Sequence, residues 1–189
     1  MGNLTDKFPA ASSSNILEVL TGTCDGRSVT VDSGTYTFGD VTAYQNLSTS
    51  YADITGSSIA YTPPTGAKHV SYEFNFMFDC VAYSGISNFK LMVDNTEVNP
   101  AYKNFASNYN SSYHHGNFPC SVFYVFDLTA ASDDAANGKF SSWASNKTIK
   151  VQGREHGNGY EGAVHYMIYG STVGTATYVQ PNLTITAYS

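Results

Sequence analysis

The residues able to do chemistry in this 189-residue chain are few and scattered. Its five histidines are His69, His114, His115, His156 and His165. A metal ion needs ligands that converge on one point. No two of these have helical i, i+4 spacing, or tight strand spacing with a carboxylate beside them. His114 and His115 are adjacent, so on an extended segment their rings point apart and chelate poorly. Asp133-Asp134 could serve Ca²⁺, but the pair precedes the one helix-like stretch and reads as cap and first-turn charge. Arg154-Glu155-His156-Gly157-Asn158-Gly159 sets a cation, an acid and a base in a Gly-rich loop. Glycoside hydrolysis needs two carboxylates facing across a cleft, with Glu155 and Glu161 the near candidates, and sequence neighbours in one loop match that geometry poorly. No phosphate-cradling Gly loop, Gly-x-Ser-x-Gly elbow or Cys/His nucleophile context occurs. The expectation is a protein that is not an enzyme, with no cofactor and no metal.

Binding chemistry is better supplied. The Asn- and Tyr-rich stretch 99–119 reads as a long exposed loop, and its Tyr102, Tyr109 and Tyr113 offer flat faces on which sugars stack. Asn104, Asn108 and Asn110 are their polar companions. The alternative for these tyrosines is ordinary surface or contact between subunits.

Composition narrows the scaffold that must carry these groups. Only 13% of residues are charged, about half the roughly 25% of an ordinary soluble domain. Apolar content is ordinary at 42%, so Ser, Thr, Asn, Gly and Tyr have taken the place of charge. Those residues favour turns and strands over solvated helices. A coiled coil, a membrane span and a disordered acidic tail are excluded. With 9 basic against 15 acidic residues and a net charge of −6, no stretch pairs clustered cations with stacking aromatics. A nucleic-acid partner is therefore not expected. Cys24, Cys80 and Cys120 are odd in number and far apart, which reads as three free thiols made in a reducing compartment. The N-terminus lacks a basic start followed by an apolar run, so no secretion signal is recognised.

Strand patterns dominate the chain. Residues 28–38 alternate around Asp32-Ser33-Gly34 as a hairpin. Runs at 41–47 and 54–62 follow, and Pro63, Pro64 and Gly66 close the second. The clearest strand is 68–79. Val70, Tyr72, Phe74, Phe76 and Phe78 lie on one face, and His69, Ser71, Glu73, Asn75 and Met77 on the other. Tyr72, Phe74, Phe76 and Phe78 are thus candidates for the core or for a trimer interface. Residues 120–128 are apolar on both faces, as in a strand buried on both sides. Residues 130–143 are the only helix candidate, and further strands are expected at 88–94, 148–153, 163–169 and 183–188. Eight to ten strands without alternating helices predict an all-β, antiparallel jelly-roll β-sandwich. Residues 1–40 read as an N-terminal docking arm and hairpin, and 41–189 as the head.

The block Ile54-Thr55-Gly56-Ser57-Ser58-Ile59-Ala60-Tyr61-Thr62-Pro63-Pro64-Thr65-Gly66, followed by the aromatic strand, resembles small virion proteins of marine phages and large DNA viruses. Cys24-Asp25-Gly26-Arg27-Ser28-Val29-Thr30-Val31 and its hairpin precede that block in similar proteins. The resemblance covers roughly residues 15–80. It implies a jelly roll of the tumour-necrosis-factor/C1q shape, used as a head- or tail-fibre tip or as capsid decoration. It also implies a homotrimer on the virion surface, with the arm attached to a major capsid or other virion protein. Such families have no catalytic residues to carry over. The expected function is a non-enzymatic virion structural protein, made in the host cytoplasm. The alternative is a lectin-like module that binds host surface glycan.

Overall fold

The computed structural model describes residues 15–81, 85–106, 115–168 and 176–189. Tyr109, Tyr113 and His114 lie outside them. The chain forms β1 (Ile16–Thr23), the hairpin β2 (Ser28–Val31) and β3 (Gly34–Thr37), then β4 (Gln45–Asn46), β5 (Ala52–Asp53) and β6 (Ile59–Tyr61). Next come the long β7 (His69–Cys80), β8 (Ser87–Val93), β9 (Thr96–Glu97), β10 (Lys103–Phe105) and β11 (Asn117–Asp127). The last strands are β12 (Lys147–Glu155), β13 (Gly162–Val164), β14 (Tyr166–Met167), β15 (Thr177–Tyr178) and β16 (Asn182–Tyr188).

Two antiparallel sheets make a jelly-roll sandwich. In the first, β16 lies between β1 and β7, and β11 runs along the far side of β7 from Asp127↔His69 to Asn117↔Asp79. β13 continues the β16 side of β7 and carries β4. In the second sheet β12 lies between β8 and the short β5 and β6, and β8 also carries β9 and β10. The chain therefore crosses between the two sheets at β4–β5, β6–β7, β7–β8, β10–β11, β11–β12 and β12–β13, the crossover pattern that rolls a pair of sheets closed.

The core is what the alternation of 68–79 requires. Val70, Tyr72, Phe74 and Phe78 are fully buried and Phe76 nearly so, facing Phe89, Leu91, Ile149 and Val151 of the other sheet. Phe76 and Phe78 meet Phe89 edge-on at 5.1 and 5.9 Å, and Phe105 bridges Phe78 and Phe118 at 4.4 and 4.7 Å. Tyr72 donates its hydroxyl to the Ser57 carbonyl at 2.6 Å, so the one polar group of that face is satisfied.

The division into an arm 1–40 and a head 41–189 does not follow the fold. β1 is a strand of the first sheet, and Leu20, Cys24, Tyr36 and Phe38 belong to the same core cluster as Phe74. The two blocks that carry the virion resemblance meet here, where Cys24 Sγ donates to the Gly56 carbonyl at 3.3 Å. Gly56 has φ +84°, and a Cβ at Gly39 would lie 2.9 Å from the Gly56 Cα, so both crossing segments need glycine.

The helix expected at 130–143 is a single 3₁₀ turn, Ala135–Asn137. Asp133 accepts the backbone N–H and the hydroxyl of Ser141, both at 2.7 Å, and Gly138 turns left-handed at φ +64°. Asp, Ser and Asn side chains that bond the local backbone draw it out of a helix. Within the stretch read as loop, 99–119, the chain forms a 3₁₀ turn at Asn99–Ala101, β10 and the start of β11.

Candidate functional site

Of the residues singled out for chemistry, the structure places most in separate surroundings. His115 Nδ1 is 2.7 Å from the buried Asp79 carboxylate, and its ring stacks on Tyr166. His156 meets the Tyr160 ring edge-on. His165 is wholly buried between Phe74 and Phe76, where it joins the core. Among the described residues no three His, Cys, Asp or Glu side chains converge as a metal-binding set. The three cysteines are free thiols, and burial pushes Cys24 up to about 12 and Cys120 up to about 11, away from thiolate chemistry.

Glu155 and Glu161 do come together, across a cavity of about 370 Å³ lined also by Asn46, Leu47, Val81 and Gly162. Burial raises the Glu155 pKa, with the Glu161 charge adding to the rise against a hydrogen bond from the Gly162 backbone. A carboxyl whose pKa is raised by folding stabilises the fold below its unfolded pKa, and that contribution is lost as pH rises through the folded value. Glu155→Gln is therefore expected to raise the melting temperature at pH 7. Below about pH 4, where both side chains are neutral, the difference should vanish. Thermal unfolding at both pH values checks this, and an equal or lower melting temperature for the variant at pH 7 contradicts it.

The outer face of the second sheet collects polar and aromatic groups. Here β8 presents Asn88 and Lys90, and β12 presents Lys150, Gln152 and Arg154. The Tyr51 ring lies under two cations, Lys90 Nζ at 4.2 Å and the Arg154 guanidinium at 5.0 Å. Lys90 is paired with Glu97 at 2.9 Å, and Lys150 with Asp53 at 2.8 Å. Tyr102 is 48% exposed beside them. The interaction of its hydroxyl with Glu97, joined by Lys90, holds that carboxyl below its usual range and pushes Tyr102 up to about 12. Register sets Arg154 opposite Asn88 and Asn88 opposite Asn104, and Asn88 Nδ2 donates to Asn104 Oδ1. Sequence reading found Tyr102 and Asn104. It missed Tyr51, and it read Arg154 as the cation of a Gly-rich loop, whereas Arg154 lies in β12 and meets Tyr51 through the way the segment before β5 lies over β8 and β12.

The outer face of the first sheet is of the opposite kind. Val125, Ser71, Thr186 and Val19 form one cross-strand row, and Phe123, Glu73, Thr184 and Thr21 the next. Glu73 is the only charge in those two rows. The strand at 120–128, expected to be buried on both sides, is covered on one alone: Phe123 is 56% and Val125 43% exposed. The far edge of β11 has no strand partner among the described residues beyond the bridge of Asp127 to Lys139. Beside Phe123 on the same face is a hollow of about 290 Å³ rimmed by Asn75, Met77, Pro119, Ser121, Val179 and Asn182.

No protein-family model matches the chain, and no curated protein does. Among solved structures it is similar to the CBM36-1 domain of a multidomain xylanase from the hindgut metagenome of Trinervitermes trinervoides. The identity is 10% and the TM-score 0.32, over 89% of this chain and 96% of that one. It is also similar to a chain of infectious bursal disease virus Gx strain. There the identity is 12% and the TM-score 0.35, over 96% of this chain and 40% of that one. At TM-scores below 0.5 neither likeness bears on what this protein binds. Among the described residues no helix is long and apolar enough to cross a membrane.

Proposed function

We propose that this chain is a non-enzymatic virion structural protein, a capsid-decorating or fibre-head homotrimer whose subunits meet through the outer face of the β1–β16–β7–β11 sheet. The observation that carries the subunit contact is β11 itself. It is apolar on both faces, it lies at a sheet edge, and it exposes Phe123 and Val125. A long apolar edge strand left to water is a site of uncontrolled pairing, which symmetric closure removes. In a three-fold ring each contact is heterologous, so the Phe123 knob of one copy enters the hollow beside Pro119 and Ser121 of the next. The virion assignment is supported by the sequence blocks at 24–31 and 54–66 and by the jelly-roll fold that carries them. Attachment to a major capsid or other virion protein falls to the segment before β1.

Light scattering on the purified chain is expected to give the mass of a trimer. Phe123→Asp should give a monomer with unchanged far-ultraviolet circular dichroism, because the side chain is outside the core. A wild-type monomer at micromolar concentration would overturn the trimer. Labelled antibody should find the protein on intact particles.

A second reading, glycan binding, is favoured by the outer face of the other sheet, where exposed Tyr102 stands among amide side chains and cations. That face points away from the proposed subunit contact, so one protein can do both.

A further inference from the structure

The geometry points to a binding site for a carboxylate-bearing saccharide on the outer face of β12, β8 and β10, with Arg154 as the anion-recognising residue and Tyr102 as the stacking platform. This rests on the glycan-binding reading and names its ligand class and its residues.

Arg154 carries the choice of an acidic sugar. The other arginine in the described residues, Arg27, is held by Asp25. The neighbouring cations Lys90 and Lys150 are matched by Glu97 and Asp53. Among the described residues the Arg154 side chain has no carboxylate within ion-pair distance and no hydrogen-bond partner, and its Nε is buried from water without an acceptor. A guanidinium with its donors unused, on a protein of net charge −6, is an uncompensated group. The guanidinium carbon lies 5.0 Å from the centre of the Tyr51 ring, a cation–π contact that anchors the group on this face. A planar fork held in that way matches a carboxylate through two parallel N–H···O bonds.

The neighbours suit a sugar better than an acidic peptide. Asn88 and Asn104 bond each other once, which leaves one N–H and the carbonyl oxygen of Asn88, and both N–H groups of Asn104, for ring hydroxyls. Tyr102 immediately precedes β10, level with Lys90, two strand spacings across and two residues along from Arg154, so about 12 Å separates the two at the backbone. Two linked sugar rings bridge that distance. Tyr102 is 48% exposed, so its ring is open to a sugar face while its hydroxyl lies beside Glu97.

Titration calorimetry with trigalacturonate and with its methyl-esterified twin tests the assignment, alongside sialyllactose and lactose. The acidic sugars are expected to bind at least ten-fold more tightly than their neutral twins, and more weakly as salt rises. Arg154→Ala should abolish the preference and Arg154→Lys should keep only about a two- to three-fold preference, because one ammonium attracts the carboxylate but cannot form the fork. Tyr102→Ala should weaken acidic and neutral sugars alike. Melting temperatures should stay at the wild-type value, since both side chains lie outside the core. Equal affinity for acidic and neutral sugars, or acidic binding that survives Arg154→Ala, overturns the assignment and leaves glycan binding standing. Binding of none of the four sugars removes both.

Discussion

Acidifying this protein from pH 7 to pH 4 is expected to cost about 3 kcal/mol at His165 alone. The ring is fully buried, and burial lowers its pKa to about 4 from 6.5, against a hydrogen bond to the Thr55 carbonyl that favours the proton. Nε2 is 2.9 Å from that carbonyl oxygen, so Nε2 carries the hydrogen and donates. Nδ1 is buried with no acceptor, and a second proton there would have nothing to bond. A base whose pKa is depressed by folding contributes stability that is full above the unfolded value and lost as pH falls to the folded one. The loss should therefore run from about pH 6.5 to pH 4, near 1.4 kcal/mol per pH unit. Urea unfolding across that range, compared with His165→Gln, isolates it, because the carboxylates titrate equally in both proteins. Parallel stability curves would contradict the assignment.

Deleting residues 1–23 should abolish cooperative unfolding, and Glu18→Ala alone should cost about 3 kcal/mol. Glu18 is 6% exposed and accepts three hydrogen bonds, from the Ser33 N–H at 2.8 Å, the Ser33 hydroxyl at 2.7 Å and the Tyr61 hydroxyl at 2.8 Å. Tyr61 has no exposure to water, so without the carboxylate its hydroxyl is stranded. The deletion removes this acceptor together with Leu20 and the register of β1 against β16. A truncated chain that melts in one sharp transition at the wild-type temperature would restore the arm as a separate unit.

The sandwich was legible because its signals are local. Period-two alternation at 68–79 places every second ring on one side whatever the chain does elsewhere, and the structure buries those rings. The Asp32-Ser33-Gly34 turn likewise needs only its neighbours. Residues 1–40 misled because an alternating run looks the same whether it lies on a head or forms part of one. The answer is in Glu18 meeting Tyr61 and Cys24 meeting Gly56, contacts between residues 43 and 32 positions apart. The outer-sheet site was half legible for the same reason. Tyr102 announces itself in a polar stretch, whereas Arg154 becomes unusual only once each neighbouring cation has found its acid. The cavity between Glu155 and Glu161 was misjudged on sequence distance, since the chain turns back between β12 and β13 and returns both carboxylates to one space.

The position of β16 has a consequence for how the protein is made. β1 is translated first and β16 last, yet β16 is the strand that joins β1 to β7, with Ile16 opposite Tyr188 and His69 also opposite Tyr188. No ribosome-bound fragment lacking residues 182–188 can complete this sheet, so closure waits until those residues have emerged and is slow, in the regime of high contact order. Until then β1 and one side of β7 stand open together. That waiting interval, and not the finished fold, is when crowded nascent copies can pair with one another, so yield should depend on synthesis rate and temperature more steeply than on final stability.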